Sequence, residues 1–190
     1  MQDREMEWLN SARNGDGDAF ARLVDAYQIP IYNLAYRMLG NVAEAEDATQ
    51  ETFVRVYTKL ASYQPERKFS SWVFAIASHH CIDRLRARRE PSISTSEEST
   101  EAWLATSEEG PEDVALQAEA RDEIQTWLDE LEPNYRVPLI LRYWYGMPYQ
   151  EIADVLQISV QAVKSRLHRA RLKMAAHRGR HDGALRLEDA

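Results

Sequence analysis

Between Val160 and Arg180 the chain carries Lys164, Arg166, Arg169, Arg171, Lys173, Arg178 and Arg180, and no acidic residue. Seven cations on one segment can neutralise the phosphates of a nucleic acid, and such side chains can also donate to base edges. An exposed helix with a purely structural role usually mixes signs to gain i, i+4 pairs. A run of one sign therefore favours an anionic partner over a merely solvated face. A second cluster, His79, His80 and Cys81, invites a metal. Adjacent residues on a helix point about 100° apart, so three in a row do not readily converge on one ion. Neither metal nor cofactor is expected. With no Gly-rich phosphate loop and no convergent nucleophile and base, no enzyme is expected either.

The basic run sits in a chain whose formal net charge is −8. Residues 1–90 hold 12 basic and 13 acidic side chains, residues 91–120 hold none and 8, and residues 121–190 hold 11 and 10. The three segments thus carry −1, −8 and +1, and the whole deficit lies in the middle. The flanks can be locally basic without contradiction. Cys81 is the single cysteine, which excludes an intramolecular disulfide. No apolar run approaches the ~18 residues of a membrane span. The start, "MQDREMEWLNSARNGDGD", lacks the basic flank and apolar core of a signal peptide. A soluble cytoplasmic protein without membrane insertion is expected.

These side chains need helices to position them. Asp18 can cap a helix bearing Phe20, Leu23, Val24 and Tyr27, which Pro30 breaks or kinks before Ile31, Leu34, Ala35 and Met38 continue to a stop at Gly40. Asn41 or Glu44 begins the next, with Phe53, Val54, Tyr57 and Leu60 as its apolar stripe. After the Pro65 loop a helix from about Ser70 to Arg89 buries Trp72, Val73, Ile76, Ala77 and Leu85. Strand alternation and hairpin signals are missing. The segment 91–118, rich in Ser, Thr and Glu with Trp103 and Leu104 as its strong apolar anchors, reads as a flexible linker. Four short helices follow: Ile124, Trp127, Leu128 and Leu131 line the first, Pro138 starts or lies just inside the second, and Gly146 ends it before Pro148 opens the third. The expected fold is all-α: two small helical domains joined by an acidic linker, the second a four-helix helix-turn-helix. Expected bounds are an extension 1–17, a domain 18–90, the linker 91–118, a domain 119–176 and a fraying tail 177–190.

Ile152, Ala153 and Leu156 bury one face of the third helix, "QIS" makes a short turn, and Ser159 caps the fourth. In that last helix Val163, Leu167, Ala170 and Met174 share a face, which turns Gln161, Lys164, Ser165, His168, Arg169 and Arg171 outward. The second helix of such a motif enters the major groove, where its first turns meet bases and later arginines meet phosphates. Gln157 stands where a glycine would adopt positive φ more easily, at a cost of about 1 kcal/mol.

A helix-turn-helix alone would suit any stand-alone regulator. The ordered set "DAFARLVDAYQIPIYNLAYRMLGNVAEAEDATQETFVRVYTKL", "FSSWVFAIASHHCIDRLRARR" and "LEPNYRVPLILRYWYGMPYQEIADVLQISVQAVKSRLHRAR" resembles the extracytoplasmic-function (ECF) sigma factors of bacterial RNA polymerase. It covers about residues 18 to 175. The resemblance implies a region 2-like first domain and a region 4-like second one, with no catalysis of their own. It implies three partners: core RNA polymerase, promoter DNA and, as in many members, an anti-sigma protein that nothing in the sequence identifies. The family's DAEDxxQExF motif is matched by Glu46, Asp47, Gln50, Glu51 and Phe53, on the helix that binds the clamp helices of the polymerase β′ subunit. The implied polymerase contacts are Asp47, Gln50, Glu51 and Arg55, on a polar stripe opposite Phe53 and Tyr57. "YQPERKFSSW" resembles the loop and helix that open the minus 10 element and hold a flipped base. Single-stranded DNA binding uses aromatic faces and cations, supplied here by Tyr63, Arg67, Lys68 and Phe69, with Trp72 read as core. His79 stands where members commonly have Asn, and Arg84 and Arg88 are placed to hold backbone phosphates. In "VKSRLHRAR" the resemblance puts minus 35 base contacts at Lys164, Ser165 and His168 and phosphate contacts at Arg166, Arg169 and Arg171, with Gln161 just before them.

Overall fold

The structure, a computed structural model, describes residues 2–89 and 123–188, with side chains over 4–88 and 123–176. Segment 91–118, expected as the linker, lies outside the described residues. The chain divides into two compact units, Met1–Ser99 and Thr100–Ala190. All regular structure among the described residues is helical. None of those helices is long and apolar enough to cross a membrane.

Unit 1 contains α1 (Gln2–Arg13), α2 (Gly17–Leu39), α3 (Val42–Lys59), a single 3-10 turn at Leu60–Ser62, and α4 (Phe69–Arg89). Residues 1–17, expected as an extension, carry α1, whose Leu9 and Ala12 are buried. The cap of α2 is Asp16 rather than Asp18: its carboxylate accepts from the Ala19 amide at 3.1 Å, which leaves Asp18 in the first turn where its charge suits the helix dipole. Pro30 does not break α2. The Ala26 carbonyl that Pro30 cannot serve is on an exposed residue, within reach of water, and Leu23, Ile31, Leu34 and Met38 anchor the helix on both sides. Gly40 ends it at φ 71, donating to the Tyr36 carbonyl at 2.8 Å. Asn41 then caps α3 through the Glu44 amide at 3.0 Å.

The face that α3 buries differs from the expected one. Ala45, Ala48, Thr52 and Val56, spaced by three or four, are buried, and Leu60 follows. Val54 and Tyr57 are instead 56% and 55% exposed. Small residues at a helix contact let neighbouring axes approach closely, so alanines outcompete the larger side chains for the seam. Thr52 is tolerated there because its hydroxyl donates to the Ala48 carbonyl at 2.6 Å. On α4, Phe69, Val73, Phe74, Ala77, Cys81, Ile82 and Leu85 close the core, while Trp72 and Ile76 are half-buried. Burying each large aliphatic side chain of this core contributes roughly 1.5–3 kcal/mol.

Unit 2 holds a helix at 123–129 (α5), α6 (Pro133–Tyr143), α7 (Tyr149–Leu156) and α8 (Val160–Glu188). Pro133 occupies the first helical position of α6, where its missing amide costs nothing, and Pro138 lies well inside that helix. Arg136 is only 4% exposed and ties α5 to α6. It donates to the Asp129 carboxylate at 2.8 Å, to the Asp129 carbonyl at 2.8 Å and to the Leu131 carbonyl at 3.1 Å. Gly146 turns the chain at φ 63, and Arg142 donates to the Met147 carbonyl at 3.0 Å. The tail expected to fray is helical to Glu188, in keeping with its content of Ala, Leu and Arg.

Candidate DNA-reading and polymerase-binding surfaces

In unit 2, α7 ends at Gln157, which sits at φ 54 and ψ 44 and is the one non-glycine with positive φ among the described residues. Ile158 donates back to the Ala153 carbonyl at 3.0 Å, and the Ser159 hydroxyl accepts from the Ala162 amide at 3.1 Å. This short turn fixes the start of α8. Val163, Leu167 and Ala170 are buried, so Gln161, Lys164, Ser165, His168, Arg169 and Arg171 are exposed, and Arg166 is half-buried. Arg169 reaches the Tyr135 hydroxyl at 3.3 Å, and Lys173 pairs with Glu132 at 3.1 Å over the Tyr135 ring. Lys164, Arg166 and Arg171 form no ion pair with any described residue.

The basic residues of unit 1 are arranged differently. Arg84 lies 3.9 Å from Glu44 and 3.7 Å from Asp47. Arg88 pairs with Glu44 and donates to the Leu39 carbonyl at 3.1 Å. Both arginines, expected as phosphate holders, thus tie α4 to α3 and to the end of α2. On α3 the outward stripe runs Asp47, Gln50, Val54, Tyr57 and Thr58, with Glu51 and Arg55 at its edge joined at 2.7 Å. The Arg55 hydrogen bond holds the Glu51 carboxyl below the usual range. Sequence reading missed Val54 and Tyr57 on this stripe. Their spacing of seven residues from Asp47 and Gln50 carried the signal, but apolar type suggested core.

Tyr63 and Phe69, expected as stacking faces for DNA, are only 4% and 3% exposed. Their rings pack edge to face at 5.4 Å, Trp72 lies against both, and Tyr27 meets Phe69 at 5.5 Å. No base can stack on a ring so covered, and large aromatic area is stabilised most by burial. Between them residues 64–68 are exposed, Arg67 and Lys68 included. Three consecutive residues of α4 meet three different surroundings. His79 is half-buried and uses Nδ1 on the Ala75 carbonyl at 2.7 Å. His80 is 8% exposed with an unpartnered Nε2, and burial with Arg55 and Arg84 nearby pushes its pKa below the ordinary 6.5. Cys81 is fully buried, and burial pushes its thiol up to about 12.

Against known proteins, residues 23–90 match sigma-70 region 2 and residues 121–174 match sigma-70 region 4, which together define a promoter-directing subunit of bacterial RNA polymerase. The chain is 40% identical to the ECF RNA polymerase sigma factor SigW of Bacillus subtilis over 86% of its own length and 90% of that protein's. It is 31% identical to the RNA polymerase sigma-H factor of Pseudomonas aeruginosa over 90% and 91% of the two lengths. Among solved structures, CnrH in complex with the cytosolic domain of CnrY superposes with a TM-score of 0.68 at 26% identity, covering 91% of this chain and 96% of that one. RpoE of Bartonella quintana, solved with the anti-sigma factor NepR, shares the fold at a TM-score of 0.60 and 19% identity, covering 82% and 93%. The chain belongs to the ECF group of the sigma-70 family. It is a transcription initiation factor, not an enzyme, and its partners are core RNA polymerase and promoter DNA.

Proposed function

We propose a division of labour in which α8 reads the minus 35 element and unit 1 carries the polymerase and minus 10 contacts. Lys164, Ser165 and His168, with Gln161 before them, address base edges, and Arg166, Arg169 and Arg171 hold phosphates. The observation that carries this is the burial of Val163, Leu167 and Ala170, which leaves the basic face of α8 outward behind a capped turn. The β′ clamp helices dock on the outward stripe of α3, where Asp47, Gln50, Glu51 and Arg55 supply polar contacts. Val54 and Tyr57 add an apolar centre of the kind that carries binding energy at interfaces. At the minus 10 element, contact falls to Arg67, Lys68 and His79, while Tyr63 and Phe69 hold the loop and Arg84 and Arg88 reach phosphates only by leaving Glu44 and Asp47.

The residues that make these contacts lie within the spans 18–90 and 119–176. The acidic segment 91–118 between them suits basic polymerase channels that later receive RNA, since like charge keeps it off DNA. A cytoplasmic site of action follows from these partners. An anti-sigma protein is a further partner, supported by the solved relatives that carry CnrY and NepR. Run-off transcription with purified core polymerase on genomic promoter fragments tests the whole reading. Start sites that depend on this chain, and footprints over both elements, are expected; failure to direct any start site would remove it.

A further inference from the structure

Helix α1 lies outside the span that matches sigma-70 region 2, which begins at residue 23, yet it packs on the part of unit 1 that shapes the exposed loop 64–68. Glu5 on α1 accepts from the Tyr27 hydroxyl at 2.9 Å. The Tyr27 ring packs edge to face on Phe69, the first residue of α4. Phe69 in turn packs on Tyr63, the residue that opens the loop. The Tyr63 hydroxyl donates across the loop to the Arg67 carbonyl, and the Arg67 amide donates to the Gln64 carbonyl at 3.1 Å. Both ends of an exposed five-residue segment are thus set by buried rings whose outermost hydrogen-bond anchor is a carboxylate on α1.

We propose that α1 is a working part of the DNA-opening surface, with Glu5 acting through Tyr27 as a positioning residue that fixes the loop carrying Arg67 and Lys68. This rests on the reading that the loop handles the minus 10 element. The physical case is one of ordering. A loop without regular structure pays for every backbone torsion it must fix when DNA binds, and a loop held in advance has met that cost. A hydrogen bond to an ionised acceptor is stronger and more directional than a neutral one. Glu5 therefore holds Tyr27, and with it Phe69, more firmly than packing alone.

The test is promoter opening by reconstituted holoenzyme, read as fluorescence of 2-aminopurine placed in the minus 10 element, with core-polymerase affinity and thermal melting measured alongside. Glu5→Ala and Tyr27→Phe should each slow opening, by about tenfold for one hydrogen bond to a charged acceptor. The double variant should lose no more than either single one, and Glu5→Gln, which keeps an acceptor, should retain most of the rate. Core affinity should be unchanged. Normal opening by Glu5→Ala while Arg67→Ala or Lys68→Ala is defective would overturn the brace and leave the loop's role standing. Normal opening by the loop variants as well would overturn that role itself. Additive losses that follow melting temperature and core affinity would make Glu5 a structural residue only, which also overturns the proposal.

Discussion

Two basic helices in this chain put the same residue type to opposite use. On α8 the cations Lys164, Arg166 and Arg171 stand apart from any described carboxylate, and the helix keeps its place through Val163, Leu167 and Ala170. On α4, Arg84 and Arg88 are engaged with Glu44, Asp47 and the Leu39 carbonyl, so that charge itself helps to hold the helices together. A cation is available to DNA only where the fold does not already depend on it. By that criterion α8 presents a ready electrostatic surface, whereas DNA approaching Arg84 and Arg88 would compete with Glu44 and Asp47.

The largest effect is expected where a cation serves the fold alone. Arg136→Met should destabilise unit 2 by about 3 kcal/mol, since it leaves two carbonyls and a carboxylate without their buried donor. Denaturant unfolding of the full chain, followed by tryptophan fluorescence, measures this; a loss below about 1 kcal/mol would show that charge inside unit 2 is as dispensable as charge on its surface. Lys164→Ala should cost about 1 to 3 kcal/mol of minus 35 discrimination while leaving folding intact. Equal losses on every promoter sequence would reduce Lys164 to a phosphate contact.

Where apolar spacing was unambiguous, the sequence was sufficient. The stripe Val163, Leu167 and Ala170, the Ser159 cap and the Gly40 stop follow from residue type and period alone. It misled where size and burial parted company. Ala45 and Ala48 won the α3 seam over Val54 and Tyr57 because close helix packing rewards small side chains. Tyr63 and Phe69 carried a pattern compatible with either stacking on DNA or closing a core, and their depth depends on Tyr27 and α1, far away in sequence. The pairing of Arg84 and Arg88 with α3 is likewise a tertiary fact that no local pattern contains.

Gln157 offers a milder test of unit 2, because its left-handed backbone suits glycine. Gln157→Gly should stabilise that unit by up to about 1 kcal/mol without altering the basic face of α8. Destabilisation in the same denaturant assay would mean that the side chain contributes more than the torsion costs. In unit 1, His80 has its pKa depressed by burial and by Arg55 and Arg84, with Glu51 and Asp83 opposing them. The folded state therefore resists a proton that the unfolded chain accepts, so stability is full above the ordinary 6.5 and falls as pH drops below it. At pH 6 one ordinary histidine can contribute a loss of at most about 0.8 kcal/mol. His80→Gln should remove that increment from the difference between pH 7.5 and pH 6, and an unchanged difference would assign the pH dependence elsewhere.

The smallest change bears most directly on the contrast between the two helices. Glu44→Gln withdraws the carboxylate shared by Arg84 and Arg88, at a cost of roughly 0.2–1 kcal/mol for partly exposed pairs. If those arginines are held back by α3, freeing them should raise holoenzyme affinity for single-stranded minus 10 DNA and steepen its salt dependence, each added phosphate contact contributing about −0.7 to the log–log slope. The same substitution should leave minus 35 binding by α8 untouched, because Lys164, Arg166 and Arg171 are paired with no described carboxylate. Affinity for minus 10 DNA that falls instead would mean that Glu44 orients the arginines toward phosphate rather than competing with it. Titration of holoenzyme against labelled strand at several salt concentrations separates the two outcomes, since competition changes the slope and orientation changes the intercept.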